Sequence, residues 1–446
     1  MNFFQNIQSL LLIIILLFSF VNCQNIPKPR YQQTSSLIGN RLYFFGGDLS
    51  TTDYKNYSAM NLTNEVWYLD LSSSFNTATP RWNKDVGMPI GYALGASCVS
   101  PIDNSGFLVG GRMFIPNTAT NNLESSPAYI FNSNISLWTT PSIIGFNSSF
   151  KLRNQNQPVI DNSGKIYTFG GNNDTGFNNS YVDYNDMSIF DTTSMTWSTL
   201  AISTNSPLSS HFFYTATLLP TGIIVYIGGY VDRLGIHFYG AVSMNHILTF
   251  NTKNYSWSTM VASGGATIDS RIGHSAVLTQ NGDIIIYGGV MLYNYTTPVT
   301  PYIAKLDTNS WMWSIPNLSQ INSPQLCFHS AALYGNYMII AFGLNPSLTS
   351  SSSFVLSNNL YILDIKNYTW VTSFNPNQST SNQKPPLIKS PTTSSDDHSN
   401  NDLFIEIGIA AGIVLLGVFF VVGFLLYKRK NQYPKFIPTP GTTDRI

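Results

Sequence analysis

Between residues 27 and 373 short apolar runs return at a steady interval, and each reads as a strand: LYFF, GFLV, IYTF, VYI, IIIY and IIAF. Each run ends in glycine. Gly46-Gly47, Gly110-Gly111, Gly170-Gly171, Gly228-Gly229 and Gly288-Gly289 are spaced by 64, 60, 58 and 60 residues, and a degenerate sixth copy keeps Gly343, 55 residues further on. A second pattern is independent of the first. An aromatic residue or Leu, then Asp or Asn, then five residues, then Trp recurs at Phe131-Asn132 to Trp138, Phe190-Asp191 to Trp197, Phe250-Asn251 to Trp257, Leu306-Asp307 to Trp313 and Leu363-Asp364 to Trp370. The first copy, Leu69-Asp70 to Trp82, has an interval of twelve instead of six, so its turn carries an insertion.

Turn-forming residues stand just before the glycine strands: Gly39-Asn40, Ser105-Gly106, Ser163-Gly164, Thr221-Gly222, Asn281-Gly282 and Gly335-Asn336. These types tolerate the positive φ of a tight hairpin. Each unit therefore predicts a four-stranded antiparallel meander: strand, tight turn, strand ending in Gly-Gly, variable loop, strand, short turn, Trp strand. One meander cannot bury both of its faces, so six are expected to stack radially in an all-β fold. The glycines are expected to allow a close backbone approach, and the tryptophans to fill the space between units.

The two ends follow other patterns. Leu10 to Phe20 is an apolar run of eleven with one Ser, followed by Val21-Asn22-Cys23 and Gln24. It reads as a secretory signal, 1–23, although no Lys or Arg precedes it. Ile407 to Tyr427 is 21 residues without a charge, followed by Lys428-Arg429-Lys430. That length matches the hydrocarbon thickness, and the basic cluster is expected to hold the C-terminus in the cytosol. Between the repeats and this span, Ser, Thr, Asn, Gln and Pro dominate. The expected organisation is signal peptide 1–23, repeat body 24–373, flexible stalk 374–402, transmembrane helix 403–427 and cytosolic tail 428–446, a type I single-pass protein at the plasma membrane or an endomembrane.

Composition narrows the partners. Charged residues are 10% of 446, and 22 Lys+Arg balance 22 Asp+Glu. A phosphate binder needs a basic excess, so nucleic acid is excluded as a partner. Three cysteines argue against a disulfide-stapled scaffold. Cys98 and Cys327, the two left after signal cleavage, are placed on the first strands of units 2 and 6 as buried free thiols, with a disulfide between them left open.

The in-register copies of Gly-Gly and Φ-Asp/Asn-x5-Trp resemble the kelch repeat, as in kelch β-propellers and the central domain of galactose oxidase. Arg271-Ile272-Gly273-His274-Ser275-Ala276 matches the opening of a kelch motif, His329-Ser330-Ala331 repeats it, and Tyr214-Thr215-Ala216 is a drifted copy. The resemblance implies a six-bladed kelch β-propeller that binds a protein or a carbohydrate through its loops. The longest loop, Asp48 to Asn64, is the first guess for a contact region. The resemblance also raises an alternative, an extracellular copper-radical oxidoreductase, which would need two imidazoles and two phenols on copper, with one phenol cross-linked to a thiol. The histidines are His211, His237, His246, His274, His329 and His398. His274 and His329 each lie 14 residues before the first residue of their unit's glycine motif or its counterpart, and equivalent repeat positions explain them without a metal. No catalytic, cofactor or metal residue is assigned, and no cofactor is expected.

Eleven Asn-x-Ser/Thr sequons occur, at Asn56, Asn61, Asn134, Asn147, Asn173, Asn178, Asn254, Asn294, Asn317, Asn367 and Asn377. Chance gives a similar number for this composition, so placement carries the information. Asn134, Asn254 and Asn367 fall in the short turn before Trp. Asn56, Asn61, Asn173, Asn178 and Asn294 fall in variable loops. All are expected to be exposed glycan acceptors.

Overall fold

The computed structural model describes residues 26–379, apart from 53–60, 116–125, 147–152, 175–181, 202–204, 233–238, 293, 319–322 and 351–352. The signal segment, most of the stalk and the apolar segment 403–427 lie outside the described residues. Among the described residues no helix is long and apolar enough to cross a membrane.

The described chain is almost entirely β. Six four-stranded antiparallel sheets follow one another along it. Sheet 1 is Thr34–Ile38, Arg41–Phe45, Val66–Asp70 and Trp82–Asp85. Sheet 2 is Ala96–Val99, Gly106–Val109, Ala128–Asn132 and Leu137–Thr139. Sheet 3 is Val159–Ile160, Lys165–Phe169, Met187–Asp191 and Thr196–Thr199. Sheet 4 is Thr215–Leu218, Ile223–Ile227, His246–Asn251 and Ser256–Val261. Sheet 5 is Ser275–Leu278, Asp283–Tyr287, Ile303–Asp307 and Met312–Ser314. Sheet 6 is Ser330–Tyr334, Tyr337–Ala341, Leu360–Asp364 and Thr369–Val371. First strands of successive sheets pack together, and Thr34–Ile38 packs against Ser330–Tyr334, so the succession returns to its start.

The glycine strands are apolar at every position because both of their faces are buried. In sheet 5, Ile284 and Ile286 point to a cluster shared with sheet 4, while Ile285 and Tyr287 point to one shared with sheet 6. Six such clusters, each drawn from two successive sheets, fill the seams. The tryptophans belong to them. Trp138 meets Phe45 of sheet 1 at 5.8 Å between ring centroids, and Trp257 meets Phe169 of sheet 3 at 4.5 Å. The Asp/Asn before each Trp strand closes its turn: Oδ1 of Asp70, Asn132, Asp191, Asn251, Asp307 and Asp364 accepts the N–H two residues on. The residue two before Trp, as at Met195 and Tyr255, takes a positive φ of 51° and 57°. Trp311 occupies this turn position in sheet 5, which explains why it lies outside the regular Trp pattern.

At each seam the second glycine of one sheet reaches the entry segment of the next. The N–H groups of Gly47, Gly111, Gly171, Gly229, Gly289 and Gly343 donate to the carbonyls of Tyr92, Arg153, His211, Arg271, Leu326 and Arg30, at 2.7–2.9 Å. The geometry leaves no room for a side chain on the first glycine. A Cβ on Gly46 would stand 2.2 Å from the Tyr92 carbonyl oxygen, and its φ is +63°. The sixth seam differs: Phe342 holds the same φ of 64° and packs its ring 5.3 Å from Phe44 and 5.5 Å from Trp82.

The insertion in the first Trp turn joins the two ends of the body. Ser373–Phe374 pairs with Phe75–Asn76, the Thr77 N–H donates to the Thr372 carbonyl at 2.8 Å, and the rings of Phe75 and Phe374 stack at 5.0 Å. No sheet exchanges a strand between the ends. Three expectations are corrected here. Phe374 is fully buried and belongs to the body, not the stalk. Cys327 precedes its first strand and bridges Leu344 instead of lying within the strand. Asn294 opens the strand Asn294–Pro298 rather than lying in an irregular loop.

Gly46→Ala is expected to cost more than about 3 kcal/mol, because strain at positive φ adds to the clash with a backbone carbonyl. Gly39→Ala has φ +59° but nothing within 4 Å of the added Cβ, and should cost about 1 kcal/mol. Denaturant unfolding of the two variants checks this; equal costs would contradict the seam geometry.

Candidate functional site

Six equivalent residues precede the first strands: Gln32, Leu94, Gln155, Phe213, Gly273 and Phe328, with φ between 52° and 62°. Their backbones form a hoop. Gln32 donates to Phe328 at 2.9 Å, Leu94 to Gln32 at 3.1 Å, Gln155 to Leu94 at 2.9 Å, Phe213 to Gln155 at 2.8 Å and Phe328 to Gly273 at 2.6 Å. Inside it lies an axial cavity of about 190 Å³ lined from all six sheets, with no Asp, Glu, Lys or Arg in its wall. Gln32 Nε2, Gln33 Oε1 and both side-chain polar atoms of Asn156 are buried there without a protein partner. Such atoms are ordinarily satisfied by water or by a small hydrogen-bonding ligand. The cavity's chemistry is neutral.

The wall of this channel is tied sheet to sheet. Gln33 Nε2 donates to Ser330 Oγ at 3.2 Å, His329 Nε2 bonds Ser275 Oγ at 2.8 Å, and His274 Nε2 bonds Thr215 Oγ1 at 3.0 Å. The Tyr214 hydroxyl donates to the Phe169 carbonyl. Burial holds both imidazoles neutral, His329 down to about 3 and His274 well below its ordinary value, with Arg271 and His329 adding to the effect on His274. Burial likewise lowers His211 to about 4.

Two residues before the hoop, sheets 1, 3 and 5 each bury an arginine. Arg30 pairs with Glu65 at 2.7 Å, Arg153 with Asp186 at 2.7 Å, and Arg271 donates to the carbonyls of Gly288 and Pro301. Burial lowers Arg271 to about 10. Burial opposes ionisation of Glu65, but hydrogen bonds from Lys84, Trp67 and Arg30 outweigh it and hold the carboxyl at about 2. Sequence reasoning singled out Arg271 alone; the matching offset of Arg30 and Arg153 from their glycine motifs was the available signal.

The chain leaving each glycine motif emerges on the same face as the hoop. There it builds small hairpins: Arg112–Phe114 pairs with Gly91–Ala93, and Tyr230–Asp232 pairs with Ser210–Phe212 and Tyr239–Ala241. Tyr31, Phe212, Tyr230, Phe328 and Phe354 form an apolar base under these loops. In the Asp48–Asn64 loop, Asp48 bridges Tyr31 and Leu62, and 53–60 lies outside the described residues.

A profile for the attractin/LZTR1 β-propeller matches residues 106–405. The chain belongs to that family. It is also similar to Kelch domain-containing protein 3 of Rattus norvegicus and of Homo sapiens, each 29% identical over 279 residues, 58% of this chain and 64% of the relative. Putative protein tag-53 of Caenorhabditis elegans is 26% identical over 321 residues, 70% of this chain and 21% of the relative. The chain thus spans less than two thirds of the length of these curated relatives. The β-propeller of this kelch-repeat family is a protein-interaction module.

The residues do not fit the copper alternative. The Nε2 atoms of His274 and His329 are committed to neighbouring hydroxyls, and the phenols of Tyr214 and Tyr287 donate to backbone carbonyls. Cys98 and Cys327 are buried free thiols, and burial pushes both upward, Cys98 to about 12. His237 and His398 lie outside the described residues. Among the sequons, Asn134, Asn254, Asn317, Asn367 and Asn377 are exposed, Asn61 and Asn173 are half-buried, and Asn56, Asn147 and Asn178 lie outside the described residues.

Neutral buried histidines make stability depend on pH. The unfolded chain takes up protons below about 6.5 and the folded propeller does not. Stability present above that value is lost as pH falls toward the folded values, about 4 for His211 and about 3 for His329. The slope is on the order of 1 kcal/mol per pH unit for each histidine. Tm should fall from pH 7 to pH 5, and His329→Asn should flatten that fall while lowering Tm at pH 7. An unchanged slope would contradict the assignment.

Proposed function

We propose that this protein is a membrane-anchored recognition module. Its six sheets act as the blades of a six-bladed propeller, and the loops beyond the glycine motifs form the surface that binds a protein or a carbohydrate outside the cell. The observation that carries this reading is the convergence of those loops, with their hairpins and apolar base, on the face that also carries the hoop. Such a base fixes loop backbones, which reduces the ordering cost of binding. The fully hydrogen-bonded histidines of the channel suit a structural wall.

The anchoring part of the proposal is supported by the sequence. The uncharged run Ile407 to Tyr427 with Lys428-Arg429-Lys430 behind it has the length and flank of a span, and Leu10 to Phe20 has the form of a secretory signal. The propeller would then be displayed on the extracellular or luminal side, with 428–446 in the cytosol. An epitope placed after Gln24 and one placed after Ile446 decide this in intact cells. The first should be stained or cleaved by protease without permeabilisation, or inside sealed vesicles for an endomembrane form, and the second should sit on the opposite side. Both epitopes on the same side would overturn the single-span reading.

A further inference from the structure

The sheets alternate in how their outer edges are covered. In sheets 3 and 5 the chain leaving the preceding sheet runs along the outer strand: the Ile144 N–H donates to the Met195 carbonyl at 2.9 Å and the Trp197 N–H returns to Ile144 at 2.8 Å. Ser263 makes the same pair with Trp311 and Trp313, at 3.0 and 2.9 Å. In sheet 1 the outer turn is held by Ser373–Phe374. Among the described residues no such bridge covers Leu137–Thr139, Ser256–Val261 or Thr369–Val371, the outer strands of sheets 2, 4 and 6.

Those same three sheets carry a sequon in the outer turn: Asn134-Ile135-Ser136, Asn254-Tyr255-Ser256 and Asn367-Tyr368-Thr369. The corresponding turns of sheets 1, 3 and 5 carry none. The register is close. The carbonyl bridged in sheets 3 and 5 belongs to the residue two before Trp, and in sheets 2, 4 and 6 that residue is Ser136, Tyr255 or Tyr368, inside the sequon. All three asparagines are exposed. Beside them lie bare apolar side chains, Ile135 at 64% and Val261 at 73% exposure. An uncovered strand edge with apolar neighbours is a site of unwanted pairing.

We infer that N-linked glycans on Asn134, Asn254 and Asn367 cover the outer edges of sheets 2, 4 and 6 at the place where polypeptide covers sheets 1, 3 and 5. This rests on the reading that the chain enters the secretory pathway. The donor is an oligosaccharide linked to a lipid diphosphate. The asparagine Nδ2 gives up one proton and bonds the anomeric carbon, and the bond to the diphosphate breaks. The second amide hydrogen is retained, so the bond from Asn367 Nδ2 to Asp364 Oδ2 (3.1 Å) survives. Antiparallel order puts these turns at the end of the strands opposite the glycine loops, so the glycans leave the recognition face free.

The test uses the full-length protein from a eukaryotic host, released with an amidase in heavy-oxygen water and mapped by mass spectrometry. Isotope-tagged Asp is expected at 134, 254 and 367 in most molecules. Asn134→Gln, Asn254→Gln and Asn367→Gln should each remove one mobility step, as should Ser136→Ala, Ser256→Ala and Thr369→Ala, and the triple variant should self-associate several-fold more on gel filtration. Glycans at Asn61, Asn173 or Asn317 without any at these three would overturn the inference and leave secretory entry standing. No glycan at any sequon would overturn both. Three occupied sites with a triple variant that stays monomeric would overturn the covering role.

Discussion

One hydrogen bond, repeated around an axis, holds the architecture together: the N–H of the second residue in each glycine motif donates to the carbonyl of the segment that enters the next sheet. It brings two backbones so close that a Cβ on the preceding residue would overlap a carbonyl oxygen, as at Gly46. The apolar seams supply most of the burial, and they define the spacing between sheets. The seam hydrogen bonds define the register in which those surfaces meet. The hoop of positive-φ residues follows from the same contact, because the bonded carbonyl lies two residues before the hoop.

From that constraint the functional face follows. Chain leaving the seam must turn outward on the side where the next sheet begins, so loops of variable sequence from all six sheets gather on one face. Their hairpins with the entry segments make that face a firm platform. The other end of the strands carries the tight turns and the Asx-closed Trp turns, whose backbone groups are satisfied locally. A module of this kind changes its partner by changing loops, while the seams stay fixed.

The fold was legible in the sequence because its two determinants are local and periodic. A Gly-Gly after an apolar run marks the close approach, and an Asp or Asn six residues before Trp marks a turn whose side chain closes on its own backbone. What the sequence hid was set by pairing across long separations. The insertion between Asp70 and Trp82 was visible as an extra length, but its partner, Phe374, is nearly 300 residues away and looked like the start of the stalk. Cys327 looked like a strand residue because its neighbours are apolar; it lies instead where the entry segment bridges Leu344. The alternation of buried arginines and covered edges between odd and even sheets is a pattern at twice the repeat length, and only the structure makes the two kinds of sheet distinct. The loop face was anticipated as a class, and its aromatic base was not, because those residues come from five separate stretches.

Native-state hydrogen exchange of the six seam amides, Gly47, Gly111, Gly171, Gly229, Gly289 and Gly343, tests the account most directly. If the ring of seam bonds is one cooperative unit, all six exchange together at the rate of global unfolding, including Gly343 at the seam where the ends of the body meet. Rapid exchange at Gly343 with the other five protected would mean that the sheets do not close into a ring, and the account would fail at its centre.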